Sequence, residues 1–195
     1  MGSPRQIVLL LIMLGISLTS GCALLVATGV AAGVGTGAAM SQDRRTAGIF
    51  VEDEGIEQKS DRLVSEKFGK KVHVNVTSFN RIVLLTGEVP SKEARSELER
   101  LVMAMDNVRS VTNELAVGAS SSYKSRSNDA LITARVKGSF MDAGKFHANN
   151  VKVLTEDSVV YLLGLVTPQE ADDAVEIARL TNGVRKVIKV FEYLN

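Results

Sequence analysis

Val159-Val160-Tyr161-Leu162-Leu163-Gly164-Leu165-Val166 repeats, at an offset of 77, the earlier stretch Ile82-Val83-Leu84-Leu85-Thr86-Gly87-Glu88-Val89. The match continues in register on both sides. Upstream, Val151-Lys152-Val153 answers Val74-Asn75-Val76; downstream, Glu170-Ala171 answers Glu93-Ala94. With one residue removed, Val184-Arg185-Lys186-Val187 answers Val108-Arg109-Ser110-Val111. A register kept through so many segments marks an internal duplication, and a duplication is read before any fold is assigned.

Each copy reads α-β-β-α-β. The first helix is expected over about 56–68 in one copy and about 128–141 in the other. Ile56, Ser60, Leu63 and Val64 share a face, as do Ile132, Val136 and Phe140 at i, i+4, i+8. Ser127 or Asn128 suits the N-cap of the second of these helices. An apolar hairpin rich in Val and Ile follows, turning near Phe79-Asn80-Arg81 and Glu156-Asp157-Ser158. The next helix begins after Pro90 or Thr167, with Ser91 as N-cap and Pro168 at a first helical position. Its apolar side carries Ala94, Leu98, Leu101, Val102 and Met105, answered by Ala171, Ala174, Val175, Ala178 and Leu180. Asp106-Asn107 and Asn182-Gly183 end these helices, and strands over 108–117 and 184–193 close the copies. Hairpin strands pair antiparallel, and the strand–helix–strand crossover returns parallel and right-handed. The fold class is therefore α+β, with a three-stranded mixed sheet in each copy covered on one face by two helices. Gly87 and Gly164 fall near the end of the second strand, where a side chain would strike the helix or a bulge. About 65 residues make a marginal core, which favours packing of the two copies on each other.

The N-terminus is of a different character. Residues 1–42 carry one charged side chain, Arg5, and residues 7–18 form an apolar run of 12. A basic start, a short apolar core and a small-residue exit describe a secretory signal; a spanning helix needs about 20 apolar residues. The exit, Leu18-Thr19-Ser20-Gly21-Cys22, resembles a bacterial lipobox, with Thr19 where Leu is usual. It places the one cysteine where lipidation needs a thiol. An uncleaved signal anchor is the alternative. By resemblance to other lipoproteins, Ala23 after the cysteine, rather than Asp, implies the outer membrane and its periplasmic face. Gly29, Gly33 and Gly37 permit close helix packing, but glycine weakens helices by roughly 1 kcal/mol each, so 22–54 reads as a tether. The resulting division is signal peptide 1–21, lipidated tether 22–54, first domain 55–118, linker 119–127 and second domain 128–195.

Composition narrows the function classes. A net charge of +1 excludes a bulk nucleic-acid binder. One Cys excludes an internal disulfide framework, and two His leave little for a metal site, so none is expected. No nucleophile–base pair or carboxylate dyad emerges, and no catalytic residue, cofactor or small-molecule substrate is assigned. His73, on the strand face opposite Val72, reads as exposed. Glu52-Asp53-Glu54 and Asp172-Asp173 read as solvated charge.

Two units of the type V-x-V…V-x-L-x-G-x-V, each followed by a helix and V-x-x-V, resemble BON domains. With the lipobox, the whole chain is similar to dual-BON outer-membrane lipoproteins of Gram-negative bacteria. The most specific strings are Ser127-Asn128-Asp129, Asn150-Val151-Lys152-Val153 with Thr155-Glu156, and Leu163-Gly164-Leu165-Val166-Thr167. The resemblance implies a non-enzymatic, lipid-anchored periplasmic protein that supports outer-membrane integrity. It further implies that the second domain's first helix binds anionic phospholipid and that the protein is recruited to division sites. Contact positions would be Leu131, Val136 and Met141, with Leu131 standing where another family member has Trp. The residues themselves supply a stripe of Leu131, Ala134, Gly138 and Met141 beside Arg135 and Lys137, within a stretch, 124–147, holding five basic and two acidic residues. An apolar stripe flanked by basic side chains suits an anionic membrane surface. Two other assignments stay open. Leu131 and Met141 can complete the core or the contact between domains, and the helix can dock on an outer-membrane assembly protein.

Overall fold

The structure, a computed structural model, describes residues 43–69 and 72–194. Cys22 and the glycine-rich tether lie outside the described residues. The first domain comprises α1 (Ala47–Phe68), β1 (His73–Phe79), β2 (Ile82–Val89), α2 (Lys92–Met103), β3 (Ser110–Asn113) and the short β4 (Ala116–Val117). The second comprises α3 (Tyr123–Ala143), a 3-10 turn at Ala148–Asn150, β5 (Val151–Glu156), β6 (Val159–Val166), α4 (Pro168–Leu180) and β7 (Lys186–Tyr193). In each, the central strand pairs antiparallel with the first strand and parallel with the last. Ser91 and Thr167 cap α2 and α4 as their positions predict, and Thr167 with Glu170 closes a capping box.

Both leading helices start earlier than their apolar periodicity indicates. Thr46 caps α1 and Ser122 caps α3, so neither Ser127 nor Asn128 is the cap. The added N-terminal stretch of α1 is tied down by charge rather than by apolar burial. Arg45 donates to Asp43 and to Asp53, and its guanidinium lies 4.1 Å from the centroid of the Phe79 ring. Asp53 is thus not solvated charge. It is buried, and it accepts from the Asn80 and Arg81 amides and the Ser78 hydroxyl. Those amides belong to a two-residue turn in which both residues have positive φ, 51° and 65°, the I′ geometry that matches strand twist. Asp129 of α3 repeats the device on the Asp157 and Ser158 amides. A carboxylate on the helix substitutes for the Asn-Gly chemistry such turns normally need.

Alternation along the strands divides the packing. Val83 and Leu85 turn toward α1 and α2, joining Ile56, Val64, Leu98 and Val102 in one core. Val160, Leu162 and Val166 turn toward α3 and α4, joining Ile132, Val136, Phe140 and Ala174. The intervening residues face the other way. Leu84 and Phe79 of the first domain meet Tyr161 and Leu163 of the second, flanked by Leu154, Ile188 and Val190. The two sheets therefore pack through the faces their helices leave bare, which is how two marginal cores become one larger one. Burial there pushes the Tyr161 phenol up to about 12, helped by Glu114, Glu156 and Asp157.

At neither glycine is the helix the obstacle to a side chain. A Cβ on Gly87 would collide with the His73 carbonyl, and one on Gly164 with the Asn150 carbonyl. For Gly87 the obstacle is the neighbouring strand β1, for Gly164 the 3-10 turn that leads into β5, and Gly87 also holds φ at +107°. Of the expected helix faces, Leu180 is exposed rather than buried.

Candidate functional site

Helix α3 is fixed in rotation by its inner side. Ile132, Val136 and Phe140 are buried against the sheet, Asp129 holds the β5–β6 turn, and the Thr133 hydroxyl donates to that of Thr155 at 2.7 Å. Gly144, in the left-handed conformation, ends the helix with its N–H on the Phe140 carbonyl. With a period of 3.6 residues, whatever lies opposite Val136 must point outward. Leu131 (56% exposed) and Met141 (68% exposed) lie there, with Ala134 exposed between them. This settles the assignment to core or domain contact: neither Leu131 nor Met141 completes either one. Val136 is corrected in the other direction. It is fully buried among Ile132, Phe140 and the strands, so it cannot be a membrane contact.

One residue escaped the sequence reading. Tyr123 begins α3 and is 84% exposed, its ring stacked by the Arg126 guanidinium at 4.5 Å. At 100° per residue it falls on the same outward face as Leu131 and Met141. Tyrosine is an interfacial residue, apolar in body and polar at the tip. Its signal was the early start of α3, set by Ser122, which the periodicity of the buried face does not reveal. From Tyr123 to Met141 the stripe runs about 27 Å along the helix.

The charges around the stripe are unequal. Lys124, Arg135 and Lys137 are exposed, and Arg135 reaches the Asn182 carbonyl at 3.4 Å. Lys145 is engaged with Asp173 at 2.7 Å, which raises its pKa and takes its charge out of the basic set. Beyond Met141 opens a groove of about 660 Å³ lined by Lys145, Phe146, His147, Asn149 and Glu170. Glu170 receives a two-pronged contact from Arg44, both bonds 2.7 Å, and Arg44 also donates to the Leu165 carbonyl. The paired guanidinium holds Glu170 down at about 2, with the Thr167 amide assisting and burial opposing. The Arg44–Glu170 contact thus lies beside the Met141 end of α3. Among the described residues, no helix is long and apolar enough to cross a membrane.

His73 is not exposed. It lies between the domains, its Nδ1 3.1 Å from Glu88 and 3.7 Å from Glu156.

Two α-β-β-α-β units, each with a helix carboxylate closing its hairpin, define a tandem module of known type: residues 52–119 and 128–195 each match the BON domain, and the chain belongs to that family. It is 38% identical to the outer membrane lipoprotein DolP of Haemophilus influenzae over 171 residues, covering 85% of this chain and 89% of that one. It is 34% identical to a 21 kDa hemolysin of Actinobacillus pleuropneumoniae, covering 78% and 79%. With osmotically-inducible protein Y of Escherichia coli it shares 30% identity, covering 72% of each chain.

Proposed function

We propose that this chain is a lipid-anchored outer-membrane protein on the periplasmic face that binds anionic phospholipid through the outward side of α3. Through that contact it supports envelope integrity and gathers at division sites. No catalysis or cofactor enters this reading. The observation that carries it is the stripe Tyr123–Leu131–Met141, exposed on a helix whose opposite side is locked into the core. Apolar side chains held outward beside Lys124, Arg135 and Lys137 combine the two attractions an anionic surface offers. The lipobox at Cys22 and the likeness to an outer membrane lipoprotein support the anchored location.

Residues 43–195 hold both domains and every strand pair found among the described residues, so this fragment is suited to vesicle sedimentation. Binding is expected to phosphatidylglycerol vesicles and not to phosphatidylcholine, and to weaken between about 0.05 M and about 0.5 M salt as the Debye length shrinks. Equal binding to both, or to neither, would leave the outer-membrane assembly protein as the partner of α3, to be sought by crosslinking. In the full chain, Cys22→Ser is expected to abolish lipidation while leaving the α3 contact intact.

A further inference from the structure

The faces through which the two sheets meet are not uniformly apolar. Along β1 the residues facing the second domain are His73, Asn75, Thr77 and Phe79, and across the register His73 pairs with Glu88 and Asn75 with Thr86. Along β5 they are Lys152, Leu154 and Glu156. At the Phe79 end apolar packing is joined by Lys152 on Glu57 and by Asn80 and Arg109 on Glu192. At the His73 end one imidazole and two carboxylates converge: a nitrogen of His73 and one oxygen each of Glu88 and Glu156 all lie within 4.8 Å of one another.

We propose that His73, Glu88 and Glu156 form a divalent-cation site of the zinc class, which staples the first domain to the second. The proposal is independent of lipid binding. Its donor set is one imidazole nitrogen and two carboxylates, which with an open fourth position is the pattern of three-ligand zinc sites. Bonds of about 2.1 Å to a tetrahedral ion put ligand atoms about 3.4 Å apart. The His73–Glu88 and His73–Glu156 separations of 3.1 and 3.7 Å bracket that value. Calcium, wanting six to eight oxygens, is poorly served.

The ligands are also oriented from outside, as metal ligands generally are. The Asn75 side-chain amide donates to Oε2 of Glu156 at 2.7 Å, leaving Oε1 toward His73. The backbone amide of Ser121, in the interdomain linker, donates to Oε2 of Glu88 at 2.9 Å. The Ser121 hydroxyl lies 3.3 Å from the His73 nitrogen and offers a further oxygen. On the same strand face, at the next register pair, Thr86 Oγ1 is buried without a hydrogen-bond partner. Charge points the same way. Two carboxylates facing one imidazole leave negative charge that a dication would neutralise.

The test is chelator-competition titration of the full chain, in detergent, with Zn²⁺ alone. One Zn²⁺ per chain is expected, with a rise in the melting midpoint. His73→Gln and Glu156→Gln are expected to remove that equivalent, and Asn75→Ala to weaken it about 10- to 100-fold by freeing Glu156. No zinc binding by the parent chain, or binding indifferent to all three substitutions, overturns the proposal. If the variants fail to fold, Mn²⁺ added to the parent chain decides through NMR. Line broadening centred on residues 73, 88 and 156 supports the site, and broadening centred elsewhere overturns it.

Discussion

Leu131→Glu separates a membrane-contact role from a structural one most sharply. Full burial of a leucine side chain is worth about 1.5–3 kcal/mol. Leu131 has 56% of its surface still to bury, so roughly half of that, about 0.8–1.7 kcal/mol, is available to a membrane. A carboxylate brought to an anionic surface reverses an attraction of about 1 kcal/mol per charge. Together the substitution removes about 2–3 kcal/mol, a loss of roughly 30- to 150-fold in vesicle affinity. Stability is expected to stay within about 0.5 kcal/mol, because the side chain touches no core and Glu is a good helix former. Leu131→Ala isolates the apolar part, about 1 kcal/mol, and its effect is expected to be the same at low and high salt. Arg135→Ala with Lys137→Ala is expected to flatten the salt dependence instead. The assay is vesicle sedimentation with thermal melting followed by circular dichroism. A folded Leu131→Glu protein that binds anionic vesicles within about threefold of the parent, a difference of only about 0.6 kcal/mol, would refute the assignment of the site to this face.

Other substitutions probe the framework that holds α3. Val136→Ala is expected to cost about 2 kcal/mol in urea unfolding, from the cavity it leaves, and to leave vesicle affinity of the folded protein unchanged. Gly164→Ala should destabilise by about 1–3 kcal/mol, since a Cβ there meets the Asn150 carbonyl, and Gly87→Ala by more because its φ is also positive; melting midpoints check the order. Asp53→Ala is expected to cost about 3–4 kcal/mol and Asp129→Ala about 2, because Asp53 also partners the Arg45 guanidinium and the Ser78 hydroxyl. Glu170→Gln keeps a cap on α4 but loses the Arg44 charge pair. The folded pKa of Glu170 is depressed to about 2, so its contribution is present above the unfolded value near pH 4.3 and fades as pH falls toward 2. The gap between parent and variant melting midpoints should close across that window, and a gap unchanged at pH 2 would contradict the pairing.

The duplicated string around Gly87 and Gly164 determined most of the fold. Strand alternation, the caps at Ser91 and Thr167, and the crossover rule are local or nearly local, so the residue order carries them directly. The basic, apolar stripe of α3 was legible for the same reason: helical spacing alone sets Leu131 and Met141 apart from Ile132, Val136 and Phe140. What sequence could not order was the identity of contacts made across long separations. Val136 fits the core face although the family resemblance set it among the contacts, and its packing against β5 and β6 removes it from the membrane set. Tyr123 joins the stripe because Ser122 starts the helix early, and Asp53 is buried because a hairpin turn 27 residues away needs an acceptor. His73 looked exposed because alternation shows which way a side chain points but not what another sheet brings to meet it. Backbone periodicity is a property of neighbours along the chain. The meeting of His73, Glu88 and Glu156 depends on two sheets burying the faces their own helices leave bare, a consequence of apolar area that only the assembled tertiary structure decides.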